Sequence, residues 1–195
     1  MSQYQFFTRW EVESIPEEVY GILEDVNTLT EWWPSVYLDL SIIDPGRPGG
    51  IGKRVALYTK GWLPYTLKWQ FVVTETNFPN GFTLEAVGDF VGRGVWQFRA
   101  IPGTNRCEVT YDWRIQAEKP LLKYLSFLFK PIFAANHHWA MRQGEKSLKL
   151  ELLRRHAKDD AKKARIPRPP QPTFPHNWLN NKVFSKNIKK QHHEI

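Results

Sequence analysis

Apolar and polar residues alternate from the start of the chain. Between Tyr4 and Glu13, Tyr4, Phe6, Trp10 and Val12 fall on one side and Gln5, Arg9, Glu11 and Glu13 on the other, the period of a half-buried strand. Ser14 and Pro16 stop it. Ser14 followed three residues later by Glu17 is a capping-box pattern, and Val19, Tyr20, Leu23 and Val26 continue at helical spacing, so a short helix is predicted next. A second brief turn carries Leu29, Trp32 and Trp33 and ends at Pro34, leaving two adjacent tryptophans at a corner where at least one plugs the core.

Strand-like runs then follow one another. Tyr37 to Ile43 and Lys53 to Lys60 flank the turn-rich DPGRPGGIG connection. That glycine run lacks the Gly-Lys-Ser/Thr ending of a phosphate loop and precedes a strand, so it reads as a hairpin loop. Tyr65, Leu67, Trp69, Phe71 and Val73 alternate with Thr66, Lys68, Gln70 and Thr74. Phe82 to Val87 is a strand after a Phe78-Pro79-Asn80-Gly81 turn, and Gly88, Gly92 and Gly94 loosen the link to Val95 to Ala100. The last run sets Cys107, Val109, Tyr111, Trp113 and Ile115 against Glu108, Thr110, Asp112, Arg114 and Gln116. Six runs joined by short turns predict an antiparallel meander.

Pro131 to about Arg155 predicts one long helix, with proline in the first turn and basic residues at the end. Phe133, His137, Met141, Gly144, Leu148 and Leu152 share one face; His138, Arg142, Glu145 and Lys149 share another. The first face is apolar at both ends but carries an imidazole and a bare glycine, flanked by Asn136, Gln143 and Ser147, as in a helix closing over something. The preceding EKPLLKYLSFLFK, Glu118 to Lys130, reads as an amphipathic lead-in packed on the sheet rim or as a lip over a cavity. After Arg155 apolar periodicity is lost, and Ile166 to Pro175 must be extended and polyproline-like.

Charge separates these regions. Residues 1–153 hold 16 Lys and Arg against 17 Asp and Glu, whereas residues 154–195 hold 11 against 3. A near-neutral body with a basic tail argues against nucleic acid as a partner, since a backbone-tracking groove needs its basic residues on the folded domain. The tail, with Trp178, Leu179 and Phe184 among its lysines, suits peripheral contact with an anionic membrane. Cys107 is the single cysteine, no signal-peptide pattern opens the chain, and Lys123 and Lys130 interrupt the most apolar region, so a cytoplasmic protein is expected. Nine Trp, twelve Phe and seven Tyr imply an interior of large flat side chains.

The order strand, helical pair, six antiparallel strands and long helix resembles the helix-grip fold. IPEEVYGILEDVNTLTEWWPSV is similar to the first-helix segment of the polyketide cyclase/dehydrase and START-like superfamily, and NHHWAMRQGEKSLKLEL to its closing helix in bacterial members. The resemblance implies an α+β domain over residues 1–157: a curved antiparallel sheet of about seven strands wrapped around the long C-terminal helix, with a ligand cavity between them. Residues 158–195 form a basic, Pro-rich tail outside it. It also implies one of two functions: binding or transport of a hydrophobic or amphipathic small molecule, lipid-like or aromatic polyketide-like, or a cyclase/dehydrase-type reaction in the same cavity.

For that cavity the candidate wall is Tyr58, Trp62, Tyr65, Trp69, Trp96, Tyr111, Trp113 and Met141, large side chains with a few polar tips. The competing account has the aromatics filling the core. Arg93, between glycines, is a candidate holder of an anionic head group or a solvated turn residue. His137 is the one imidazole on the inner helix face, a candidate general acid or base if Asn136, Tyr111 or Glu85 orients it, and otherwise a satisfied histidine at the cavity mouth. His137 and His138 point about 100° apart and cannot share a metal. No metal or cofactor is expected.

Overall fold

The computed structural model describes residues 3–117 and 126–176. Seven strands form one antiparallel sheet in the order β1-β7-β6-β5-β4-β3-β2. β1 (Gln3–Val12) is followed by α1 (Pro16–Glu24), a 3-10 turn (Val26–Thr28) and α2 (Leu29–Trp32), which carry the chain to the opposite sheet edge. The meander β2 (Tyr37–Asp44), β3 (Arg54–Lys60), β4 (Thr66–Asn77), β5 (Gly81–Gly88), β6 (Phe90–Ala100) and β7 (Cys107–Ala117) returns to pair with β1. Helix α3 (Ser126–His156) crosses the concave face, and α4 (Asp160–Arg165) follows it. This is the helix-grip arrangement that the element order implied.

Strand parity explains the layering. Tyr4, Phe6, Trp10 and Val12 of β1, Val55 and Leu57 of β3, Trp69, Phe71 and Val73 of β4 and Val109, Tyr111 and Trp113 of β7 all face inward and form one core with Met141, Leu148 and Leu152 of α3. Bulges in the β2–β3 and β4–β5 ladders increase local twist and help the sheet curl. Both corner tryptophans enter the core: Trp32 is 1% exposed and Trp33 2%.

Several local expectations are corrected. The capping box does not form: Ile15 is the N-cap residue without a side-chain cap, and the Ser14 hydroxyl donates to the Glu18 carboxylate instead. Helix α3 starts at Ser126, not Pro131, so the proline stands inside the helix, where the ladder lacks its N–H. Of the glycines expected to loosen the approach to β6, Gly88 ends β5 whereas Gly92 and Gly94 lie within β6. Gly92 and Gly94 pair with Ile115 and Trp113, and a Cβ on Gly94 would stand 2.5 Å from the Tyr111 hydroxyl and 2.8 Å from the Trp113 ring. The close approach of β7's aromatics requires the bare backbone there.

The proline-rich stretch is extended and returns to the domain. Pro172 is buried, and the Thr173 hydroxyl donates to the carbonyls of Gly61 (3.3 Å) and Trp62 (3.4 Å). The lead-in up to Leu125, and Trp178, Leu179 and Phe184 of the membrane expectation, lie outside the described residues. Among the described residues no helix is long and apolar enough to cross a membrane.

Candidate functional site

A cavity of about 150 Å³ lies between the sheet and the first half of α3. Its floor is aromatic. Trp69, Phe90 and Trp113 meet with ring centroids 4.9 to 5.9 Å apart, and Tyr111 stacks beside Trp113 at 5.5 Å. The Trp69 indole N–H donates to the Thr59 hydroxyl at 3.0 Å, which satisfies both groups and fixes the ring. From α3 come Phe133, Asn136, His137, Ala140 and Met141, one helical stripe.

The polar groups in this wall have distinct states. Burial pushes the Tyr65 phenol up to about 12, with Tyr4 beside it adding to the rise, and holds Tyr37 and Tyr111 well above the ordinary phenol value. All three stay protonated donors. Burial, reinforced by neighbouring His138, lowers His137 to about 3, so its imidazole is neutral at physiological pH. Its ring stacks on Phe6 at 4.1 Å, and its Nε2 is buried without a hydrogen-bond partner among the described residues. The Asn136 carbonyl oxygen accepts from the Leu63 backbone N–H at 3.1 Å. Lys60, at the end of β3, is the one ionic side chain among the described residues of the wall.

Six of the residues expected at a cavity are brought together there: Tyr65, Trp69, Tyr111, Trp113, His137 and Met141. Four are not. Tyr58 has the opposite parity from Val55, Leu57 and Thr59, so it lies on the outer face under the Lys68 ammonium, 5.8 Å from its ring centroid. Arg93 also faces outward and pairs with Glu75 at 3.2 Å across solvent. Trp62 sits in the β3–β4 turn, 40% exposed. Trp96 is buried but belongs to the packed core, stacked on Tyr111 at 4.0 Å and near Trp10 at 5.5 Å. The orienting partners proposed for His137 do not reach it as hydrogen-bond partners either: Asn136 serves Leu63, and Glu85 is exposed on the outer face opposite Arg93.

Sequence reasoning missed several wall residues. Tyr4, Phe6 and Phe133 lay on faces already read as inward, so their place was available from periodicity. Lys60 was not, because the alternation of Val55, Leu57 and Thr59 points it outward. Its burial comes instead from the returning proline-rich stretch, whose Thr173 and Phe174 carbonyls accept from its ammonium.

A curved sheet gripping a helix around a small aromatic cavity defines a ligand-enclosing fold class. Residues 12–141 match the sequence profile described as polyketide cyclase/dehydrase and lipid transport, and the chain belongs to that family. The fold is shared with a protein of Thermus thermophilus (18% identity, TM-score 0.62), covering 79% of this chain and all of that one. It is shared also with the Zhui aromatase/cyclase of a Streptomyces species (14%, TM-score 0.63; 80% and 98% covered). Norcoclaurine synthase of Thalictrum flavum, solved with dopamine and hydroxybenzaldehyde, is a third (13%, TM-score 0.52; 81% and 90% covered). No curated protein matches the chain by sequence.

Proposed function

We propose that the protein binds a small hydrophobic or amphipathic molecule in the cavity between the sheet and α3. The observation that carries this reading is a cavity of about 150 Å³ whose floor is three aromatic rings and whose wall keeps an imidazole Nε2 without a partner. A void of roughly that size, lined by apolar side chains, admits a benzene-sized ring. A single ring or a short acyl segment is therefore the size class, and the unpaired Nε2 and the neutral phenols give it polar contacts. Norcoclaurine synthase, which shares the fold, was solved with two single-ring compounds, in keeping with that size.

Acid–base chemistry of the cyclase/dehydrase type receives less support. An imidazole held at about 3 is almost wholly unprotonated near neutrality and is a weak base there, whereas general acid–base catalysis favours a pKa near the working pH. His137 is suited to accept a hydrogen bond from a ligand.

Titration with p-cresol, followed through the indole N–H signals in NMR spectra, tests the proposal. Shifts are expected in the wild type and not in Ala140→Phe, whose new ring projects from α3 into the cavity. No shift in the wild type at millimolar ligand, or equal shifts in both proteins, would overturn it.

A further inference from the structure

The curl of the sheet brings two phenols from distant places in the strand order to one cavity: Tyr37 from edge strand β2 and Tyr111 from β7. Their rings are fixed by packing, Tyr37 against Trp33 at 5.1 Å and Tyr111 against Trp96 at 4.0 Å and Trp113 at 5.5 Å. The Tyr111 hydroxyl lies over Gly94, where a Cβ would stand 2.5 Å from it, and Gly94 is itself paired with Leu84 and Trp113 in the sheet. Burial keeps both phenols protonated, and Tyr37 adds to the rise at Tyr111, so the two groups stand within electrostatic reach of each other. Neither hydroxyl has a hydrogen-bond partner among the described residues, yet neither oxygen is enclosed by packing. A deep polar atom that is neither partnered nor enclosed borders a hollow, and the hollow that these two residues line is the cavity.

We propose that the ligand is a neutral carbonyl compound, its single ring against Trp69, Phe90 and Trp113 and its carbonyl oxygen accepting from the Tyr37 and Tyr111 hydroxyls. This deepens the reading above and rests on the cavity being the binding site. A carbonyl oxygen has two lone pairs, one for each donor, and brings no donor of its own that would need an acceptor. Phenols without an acceptor are costly in a water-poor site, and a ligand that supplies one removes that cost. A carboxylate suits the pair less well, because neutral phenols supply no counter-charge and the Lys60 ammonium is bonded to the Thr173 and Phe174 carbonyls.

Acetophenone and α-methylstyrene share a shape and differ in carrying a carbonyl or a methylene, so NMR titrations with both separate the oxygen from the ring. Tyr37→Phe and Tyr111→Phe each remove one hydroxyl and keep the aromatic packing. Each is expected to weaken acetophenone binding by about fivefold, the scale of one neutral hydrogen bond, while α-methylstyrene stays within about twofold. The infrared carbonyl stretch of isotope-labelled acetophenone bound to the wild type is expected below its frequency in cyclohexane, a readout that stands even if a variant does not fold. A stretch at the cyclohexane frequency, or acetophenone affinity unchanged in both variants, overturns the carbonyl assignment, and α-methylstyrene binding then leaves the cavity reading standing. An effect of only one substitution overturns the paired site. Failure of both compounds to bind overturns this proposal together with the cavity reading.

Discussion

His137 is neutral because its ring is stacked on Phe6 and removed from water, and its stability contribution follows from that state. The imidazole's ordinary value is 6.5 and the folded value about 3, so between these limits the unfolded chain binds more protons than the folded one. Stability conferred by the neutral ring is therefore complete above about pH 6.5 and is lost as pH falls toward 3, by at most about 1.4 kcal/mol per pH unit. His137→Phe keeps a flat ring and removes the titration. In urea unfolding at about pH 7.5, 6 and 5, the wild type is expected to lose ground to the variant progressively in the two acid conditions. A difference that stays constant with pH would mean that the imidazole is protonated without penalty. The sequence showed this histidine on the inner helix face, but not its state, which depends on Phe6 from the other end of the chain.

At the scale of elements, α3 is set against the α2 corner through one close approach. A Cβ on Gly144 would lie 2.2 Å from the six-membered ring of Trp33. That ring has little freedom to yield, being packed against Trp10 at 5.8 Å and Tyr37 at 5.1 Å. Gly144→Ala gains roughly 1 kcal/mol of helix propensity but forces overpacking that costs about 1–3 kcal/mol. A net loss of about 1 kcal/mol or more is expected in chemical denaturation, with the near-ultraviolet tryptophan signal altered. A neutral or stabilised variant would show that Trp33 moves aside. The sequence marked this glycine as unusual on an apolar face, in a helix closing over something; what stands against it is an indole from the Trp32–Trp33 corner. Alternation, by contrast, made most strands legible, since parity in β1, β4 and β7 follows residue type directly. β6 was truncated in that reading because glycine is depleted in strands, and only the Tyr111 and Trp113 side chains of the neighbouring strand explain why Gly94 belongs in one.

Across the whole molecule, the proline-rich stretch connects the far end of α3 back to the edge of the cavity. Composition showed that it must be extended but could not give its destination, because proline segments carry no periodic face to match with a partner. Its contacts converge on one turn: the Thr173 hydroxyl on the Gly61 and Trp62 carbonyls, and the Lys60 ammonium on Thr173 and Phe174. From the inner side, Asn136 of α3 receives the Leu63 N–H in the same turn. The β3–β4 turn is thus held from two sides, and a chain ending at Arg165 keeps only the inner one. Hydrogen exchange at the Leu63 amide is expected to quicken by about tenfold or more on that truncation, the equivalent of one or two hydrogen bonds. The Val109 amide, deep in β7, should exchange as before. Ligand dissociation should quicken along with Leu63, because the turn carries Lys60 and Gly61 of the cavity wall. Unchanged exchange at Leu63 would show that Asn136 alone fixes the turn, whereas faster exchange at both amides would mean that the returning segment stabilises the whole sheet.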